Sequence, residues 1–265
     1  ADLKRPGLLY AGTESGMYVS FDDGASWKPF QLNLPIVPIT DLTIKNDNLI
    51  AATQGRSFWL IDDLTPLHQL SESMTTGEFT LFKPMPSYRM GGGFSFGRPS
   101  KTEGKNHPGG VMIHYFLKDT VKSQVALEIL ESNGKLIKKF STKPDKKAKE
   151  EAMKIKPNGN RFVWNMRYPD AEGFDGLIMW AGLLTGPKAI PGMYKARLTV
   201  NGKSQEMDFE ILKDPRTGGI ASDIKEQFDF LISVRDKLSE TNQAVKKIRS
   251  TRDQINRVTE PMKGK

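Results

Sequence analysis

A mainly β chain is predicted: a partial β-propeller (its last blades) over residues 1–70, a connection over 71–110, an immunoglobulin-like β-sandwich over 111–213 and an amphipathic helical segment over 214–265. Three observations predict it. A strand–turn–strand unit recurs at an offset of about 40 residues, the period of a unit that cannot cover both of its faces without neighbours. A second block alternates apolar and polar residues around two Asn-Gly turns, and beyond Asp223 the apolar period changes from two to a heptad.

The first 70 residues read as about seven short strands between turn signals: Gly7 to Thr13, Gly16 to Ser20, Trp27 to Leu32, Ile39 to Lys45, Leu49 to Thr53 and Ser57 to Ile61 carry the pattern. The recurring unit is Leu9 to Val19 and again Ile50 to Leu60. Each copy is an apolar strand ending in Ala-x-Thr, a polar turn with Gly, and a second apolar strand. Fewer than two blades fit in this length, whereas closed propellers need about 4 to 8. The chain therefore reads as the C-terminal part of something longer, with an open strand edge awaiting missing N-terminal blades or another chain.

Between the two copies, Ser20-Phe21-Asp22-Asp23-Gly24-Ala25-Ser26-Trp27 fits the Asp-box pattern Ser-x-Asp-x-Gly-x-Ser/Thr-Trp at every fixed position. The roles of Ser20, Asp22, Gly24, Ser26 and Trp27 are structural: the carboxylate accepts N–H groups within the turn, Gly24 permits positive φ, and Trp27 packs back between strands. With Gly7 to Glu14, Leu32-Asn33-Leu34-Pro35 and Thr53 to Leu64, this region resembles the closing blades of the large bacterial sortilin-like proteins with bacterial-neuraminidase repeats. The resemblance continues through Asn160 to Pro169, Pro191 to Leu198 and Lys213-Asp214-Pro215-Arg216 to the helical tail. One departure is Gln54, where the family commonly has His before Gly-Arg-Ser-Phe-Trp. The resemblance implies an extracytoplasmic place (periplasm, cell surface or secreted) and a non-catalytic binding or assembly region that engages a polypeptide or a glycan. The alternative is an accessory C-terminal region of an exported glycoside hydrolase whose catalytic residues lie in upstream blades.

Residues 111–213 give six strands, Val111 to Leu117, Gln124 to Leu130, Leu136 to Phe140, Asn160 to Met166, Gly192 to Val200 and Ser204 to Leu212, with Asn133-Gly134 and Asn201-Gly202 as tight turns of two positive-φ residues. The charge run Lys143 to Lys156 reads as a solvated loop or short helix in preference to a phosphate patch. In the last block Asp223 and Glu226 form a capping pair, and Leu231, Val234, Leu238, Thr241, Val245, Ile248 and Ile255 make a heptad-like seam. That helix packs either within the chain or on a partner helix.

Composition narrows the chemistry. With 37% apolar and 26% charged residues in 265, the chain is a globular one. No run approaches the roughly 18 apolar residues of a membrane span. Zero cysteines remove thiolates, disulfides and cysteine-bound metals. The +8 balance of 39 basic and 31 acidic residues is interspersed, which argues against nucleic acid. Gly91 to Gly97 with Lys101-Thr102 lacks P-loop spacing, His68, His107 and His114 lack supporting ligands, and neither a catalytic set nor a cofactor is expected. The turns opposite the Asp box, Glu14-Ser15-Gly16 and Gln54-Gly55-Arg56, form the candidate ligand face. Arg56 is placed either to hold a carboxylate or sugar hydroxyls, or to pair with Asp62 or Asp63. Trp180 either packs on a strand, the preferred reading, or stacks on a sugar ring.

Overall fold

The computed structural model describes residues 1–71, 76–90, 104, 106–118, 124–144 and 152–260. The glycine-rich stretch 91–97, Lys101-Thr102 and the centre of the charge run lie outside the described residues. The chain is mainly β with one long C-terminal helix.

Six strands, one fewer than expected, build two three-stranded antiparallel sheets: β1 (Leu9–Thr13), β2 (Gly16–Ser20) and β3 (Lys28–Pro29), then β4 (Ile39–Lys45), β5 (Asn48–Thr53) and β6 (Phe58–Ile61). Period-two alternation decides which side of each strand is buried. Met17 of the first sheet packs with Leu49, Ala51 and Leu64, bordered by Tyr10, Ile39, Trp59 and Ile61. Gly12 makes the close approach possible, because a Cβ there would stand 2.6 Å from Ile39 Cγ2. One helical turn, α1 (Thr65–Gln69), follows with Pro66 in its first turn, where a missing N–H costs nothing.

The second block has eight strands: β7 (Phe79–Leu81), β8 (Ser87–Tyr88), β9 (Val111–Leu117), β10 (Val125–Glu131), β11 (Leu136–Ser141), β12 (Asn158–Trp164), β13 (Gly192–Val200) and β14 (Lys203–Leu212). They form a five-stranded sheet in the order β11-β10-β13-β14-β8 and a three-stranded sheet in the order β12-β9-β7. Both sheets contribute to one core, with Ile113 and Trp164 from the smaller and Leu127, Tyr194, Leu198 and Phe209 from the larger. Trp164 meets Tyr194 and Phe209 edge-on with ring centroids 6.0 and 6.1 Å apart. Each such fully buried side chain stabilises by roughly 1.5–3 kcal/mol.

The connection expected over 71–110 is corrected here. β7 pairs antiparallel with β9, and β8 pairs parallel with β14, so this stretch supplies an edge strand to each sheet. Their brevity hid them, since two or three residues show no period. The Asn201-Gly202 turn has both φ angles positive, at 51° and 76°. At the other turn only Gly134 does. The strands beside it shift register between Ile129 and Leu130, so a bulged turn replaces the expected two-residue one.

Contacts between the blocks include two polar ones. The Gln69 side chain accepts from Lys83 N at 2.8 Å and donates to Lys83 O at 3.0 Å, acting as a strand edge would. Asp63, buried at the end of the first block, lies with its Oδ2 3.3 Å from His114 Nε2 on β9.

The helix α2 (Ala221–Thr259) has 39 residues, about 58 Å at 1.5 Å each. Asp223 reaches back to Ile220 N at 3.3 Å, so it sits in the first turn and not at the cap. The helix docks mainly through the face beside the heptad seam, of which Leu238 and Val245 are half-buried. Phe228 stacks edge-on against Tyr168 at 4.9 Å, and Ile232 borders the core. Farther along, Asn242 Nδ2 donates to Glu172 O at 2.7 Å and the Arg249 guanidinium lies 4.5 Å over the Phe174 ring. Leu231, Val234, Ile248 and Ile255 of the seam are exposed. No helix among the described residues is long and apolar enough to cross a membrane.

Candidate functional site

The Thr of each Ala-x-Thr unit locks its turn. Thr13 Oγ1 donates to Gly16 O at 2.9 Å and accepts from Ser15 N at 3.2 Å. Thr53 Oγ1 donates to Ser57 O at 2.6 Å. The second turn is one residue longer, since Thr13 pairs with Gly16 while Ala52 pairs with Phe58. It absorbs the extra residue with positive φ at Gly55 (77°) and Ser57 (61°). The Trp59 indole N–H closes it on Arg56 O at 2.9 Å.

Both turns emerge at the same end of the paired sheets, because Gly12 abuts Ile39 and Gln54 N donates to Pro38 O at 3.0 Å. Glu14 and Arg56 are exposed there. Neither makes an ion pair with a described residue, and Arg56 is not joined to Asp62 or Asp63. The Arg56 guanidinium, a planar fork of donors, thus has no carboxylate partner among the described residues.

At the opposite end, where β2 runs out, the Asp box is assembled. Ser20 Oγ donates to Asp22 Oδ1 at 2.7 Å and accepts from Gly24 N at 2.9 Å. Ser26 N donates to Asp22 Oδ1 at 2.8 Å, and Ser26 Oγ donates to Oδ2. The Ser26 hydroxyl first, then its N–H and the Ser20 hydroxyl, hold the Asp22 carboxyl down to about 2. Gly24 has φ 90° with the Trp27 ring beside it. Trp27 is nonetheless 43% exposed, so it lies over its own turn and does not insert between strands.

The remaining candidates separate. His68 Nε2 lies 3.0 Å from Asp2 Oδ2, which also accepts from Tyr10 O–H at 3.2 Å. Burial pushes Asp2 up, but the N–H groups of Lys4 and Arg5 and the His68 imidazole outweigh it and leave it lowered. His114 serves the junction with Asp63, and His107 is exposed. Among the described residues no three His, Cys, Asp or Glu side chains gather at metal-binding distance. Trp180 is fully exposed, which overturns its packing on a strand, and Ile178 and Leu183 stand exposed beside it.

Two features escaped the sequence reading because their members are far apart in the chain. An open cleft of about 800 Å³ lies under α2, where Tyr168 O–H donates to Glu131 Oε1 at 3.0 Å and Arg235 Nη1 donates to Pro169 O at 3.3 Å. Burial, with Tyr194 and Glu131 nearby, raises the Tyr168 phenol. The other is a cluster of Arg89, Arg167 and Lys188. Arg167 and Lys188 face each other in a β-bridge, and Arg89 Nε donates to Ala189 O at 2.8 Å. No spacing in the sequence announces either.

No family model, curated protein or solved structure matches the chain.

Proposed function

We propose that this chain is a non-catalytic binding and assembly region of an exported, sortilin-like β-propeller protein. The first two sheets are its last blades, the second block is its immunoglobulin-like sandwich, and the turns carrying Glu14 and Arg56 engage a polypeptide or glycan. One observation carries the reading. Met17, paired with Gly12, packs against Leu49 and Ala51 of the second sheet, and Val19, two residues on, is buried as well. Their repeat equivalents are Phe58, paired with Ala52, and Leu60, and these stand 78% and 53% exposed. The second sheet thus offers outward the same face that the first sheet presents to it. A further unit of the same kind stacks there as the second stacks on the first, the translational logic of blades.

Arg56 supports the ligand face, being a bidentate donor on a turn made rigid by Thr53 and Trp59. The extracytoplasmic place follows from the resemblance alone.

Two experiments test this reading. Gel filtration of the chain should show concentration-dependent association that Phe58→Ser with Leu60→Ser relieves without lowering the melting temperature. Strictly monomeric wild type at every concentration would remove the stacking argument. On arrays of peptides and glycans, Arg56→Ala should weaken any retained ligand about tenfold, the scale of a charge-assisted bond, while Lys225→Gln should not. Release from aryl glycosides that disappears on replacing one carboxylate of this chain would overturn the non-catalytic reading.

A further inference from the structure

We propose that Arg89, Arg167 and Lys188 form a binding site for a phosphate- or sulfate-type dianion on the second block, separate from the hairpin turns and independent of the function proposed for them. Arg89 follows β8, Arg167 follows β12 and Lys188 precedes β13, so three distant segments supply one cation each. Their convergence is fixed by backbone. Arg167 and Lys188 are opposite partners of an antiparallel bridge. Arg89 Nε reaches across to Ala189 O at 2.8 Å, and Lys188 Nζ reaches back to Met90 O at 2.5 Å. Arg167 Nη1 is tied to Gly186 O at 2.8 Å.

Like charges placed directly opposite in a sheet destabilise it. Solvated lysines and arginines relieve this by swinging apart, but these three are half-buried and each is held by a carbonyl. No carboxylate pairs with any of them among the described residues. Asp170, three residues beyond Arg167, accepts from Gly186 N at Oδ1 at 2.8 Å. Among the described residues, then, three cations are held together without a carboxylate partner.

Each guanidinium has five N–H donors, and the carbonyl bonds use one on each arginine. What remains are two planar forks and an ammonium, a donor set suited to an oxyanion of charge about −2 more than to a monoanionic carboxylate. Burial, with Arg89 and Arg167 nearby, also lowers the proton affinity of Lys188, and burial and Arg167 lower that of Arg89 against the opposing effect of Tyr194. A bound dianion offsets the like-charge part of this effect.

The test uses the full chain at constant ionic strength, with potassium phosphate, sulfate or malonate exchanged against chloride. Thermal unfolding and titration calorimetry are the readouts. Phosphate and sulfate should raise the melting temperature saturably and malonate should do so less. Lys188→Met should weaken phosphate binding by roughly tenfold or more, as expected for one charge-assisted hydrogen bond, and Arg167→Gln should do the same. In chloride alone Lys188→Met should leave the melting temperature unchanged or raise it, because it removes a like-charge contact. That second readout distinguishes a site from a merely structural lysine. Lys225→Gln, an exposed helix charge, serves as control and should bind as wild type does. Phosphoserine and a sulfated monosaccharide, run beside the inorganic ions, assign the source. Tighter binding of an ester points to a modified ligand, and equal binding to the free ion. Equal stabilisation of wild type and Lys188→Met by phosphate would overturn the proposal. So would a loss of stability in Lys188→Met that is the same in chloride and in phosphate.

Discussion

Asp22 shows how little a residue needs to be buried to matter locally. Its carboxylate takes three donors from Ser20 and Ser26, and these hold it at about 2. A depressed carboxyl contributes stability above its unfolded value of about 3.9 and loses it as pH falls through the folded one. Wild type should therefore lose this contribution between about pH 4 and pH 2, whereas Asp22→Asn should show a flatter melting temperature in that window, read by circular dichroism. A wild-type-like acid limb in the mutant would disprove the assignment. Trp27 tests the same motif by packing. A buried aromatic truncated to Ala costs about 3–5 kcal/mol. With 43% of Trp27 in water, Trp27→Ala should cost about 1–2 kcal/mol in urea unfolding. The pattern of the box was legible in the sequence because all its bonds are local. The exposure of Trp27 was not, since it depends on what lies beyond the turn.

At the scale of elements, strands with five or more residues were read with ends nearly in place, and those of two or three were not. β7 and β8 exist because β9 and β14 offer open ladder positions to them, a tertiary cause with no local signature. The helix was legible by its period, but its docking face only in part, through the half-buried Leu238 and Val245. The seam of Leu231, Val234, Ile248 and Ile255 looked like the buried side, yet the bonds to the body run through Arg235, Ser239, Asn242, Lys246 and Arg249, polar residues that a hydrophobic pattern discards. Two substitutions separate these faces. Asn242 is 4% exposed, and Asn242→Ala should cost about 1–3 kcal/mol by leaving the Glu172 carbonyl without its donor. Ile248, 67% exposed, should tolerate Ala within about 0.5 kcal/mol. Equal losses in chemical denaturation would mean that the seam is covered in solution.

Across the whole molecule, Asp63 stands at the junction between the two blocks. Its Oδ1 accepts Thr65 N at 2.8 Å while Oδ2 faces His114 across the boundary. Burial raises this carboxyl, but the His114 imidazole and Thr65 outweigh that and leave it lowered. Asp63→Ala should cost about 1–3 kcal/mol and split a single unfolding transition into two, seen by calorimetry. One unchanged transition would show that the blocks are coupled elsewhere. The β character of each block was legible from its own strands, but nothing in either announced the Asp63–His114 contact between them. The anchoring of α2 carries a different consequence, for time. Near its far end Arg249 donates to Asp175 O, and every residue from 250 to 259 is exposed. That is about 15 Å of helix with no buried side chain, a length too short to persist as an isolated helix. Backbone amides beyond Arg249 should exchange with deuterium through local fraying within seconds to minutes, while those around Phe228 to Asn242 wait for the helix to leave the body.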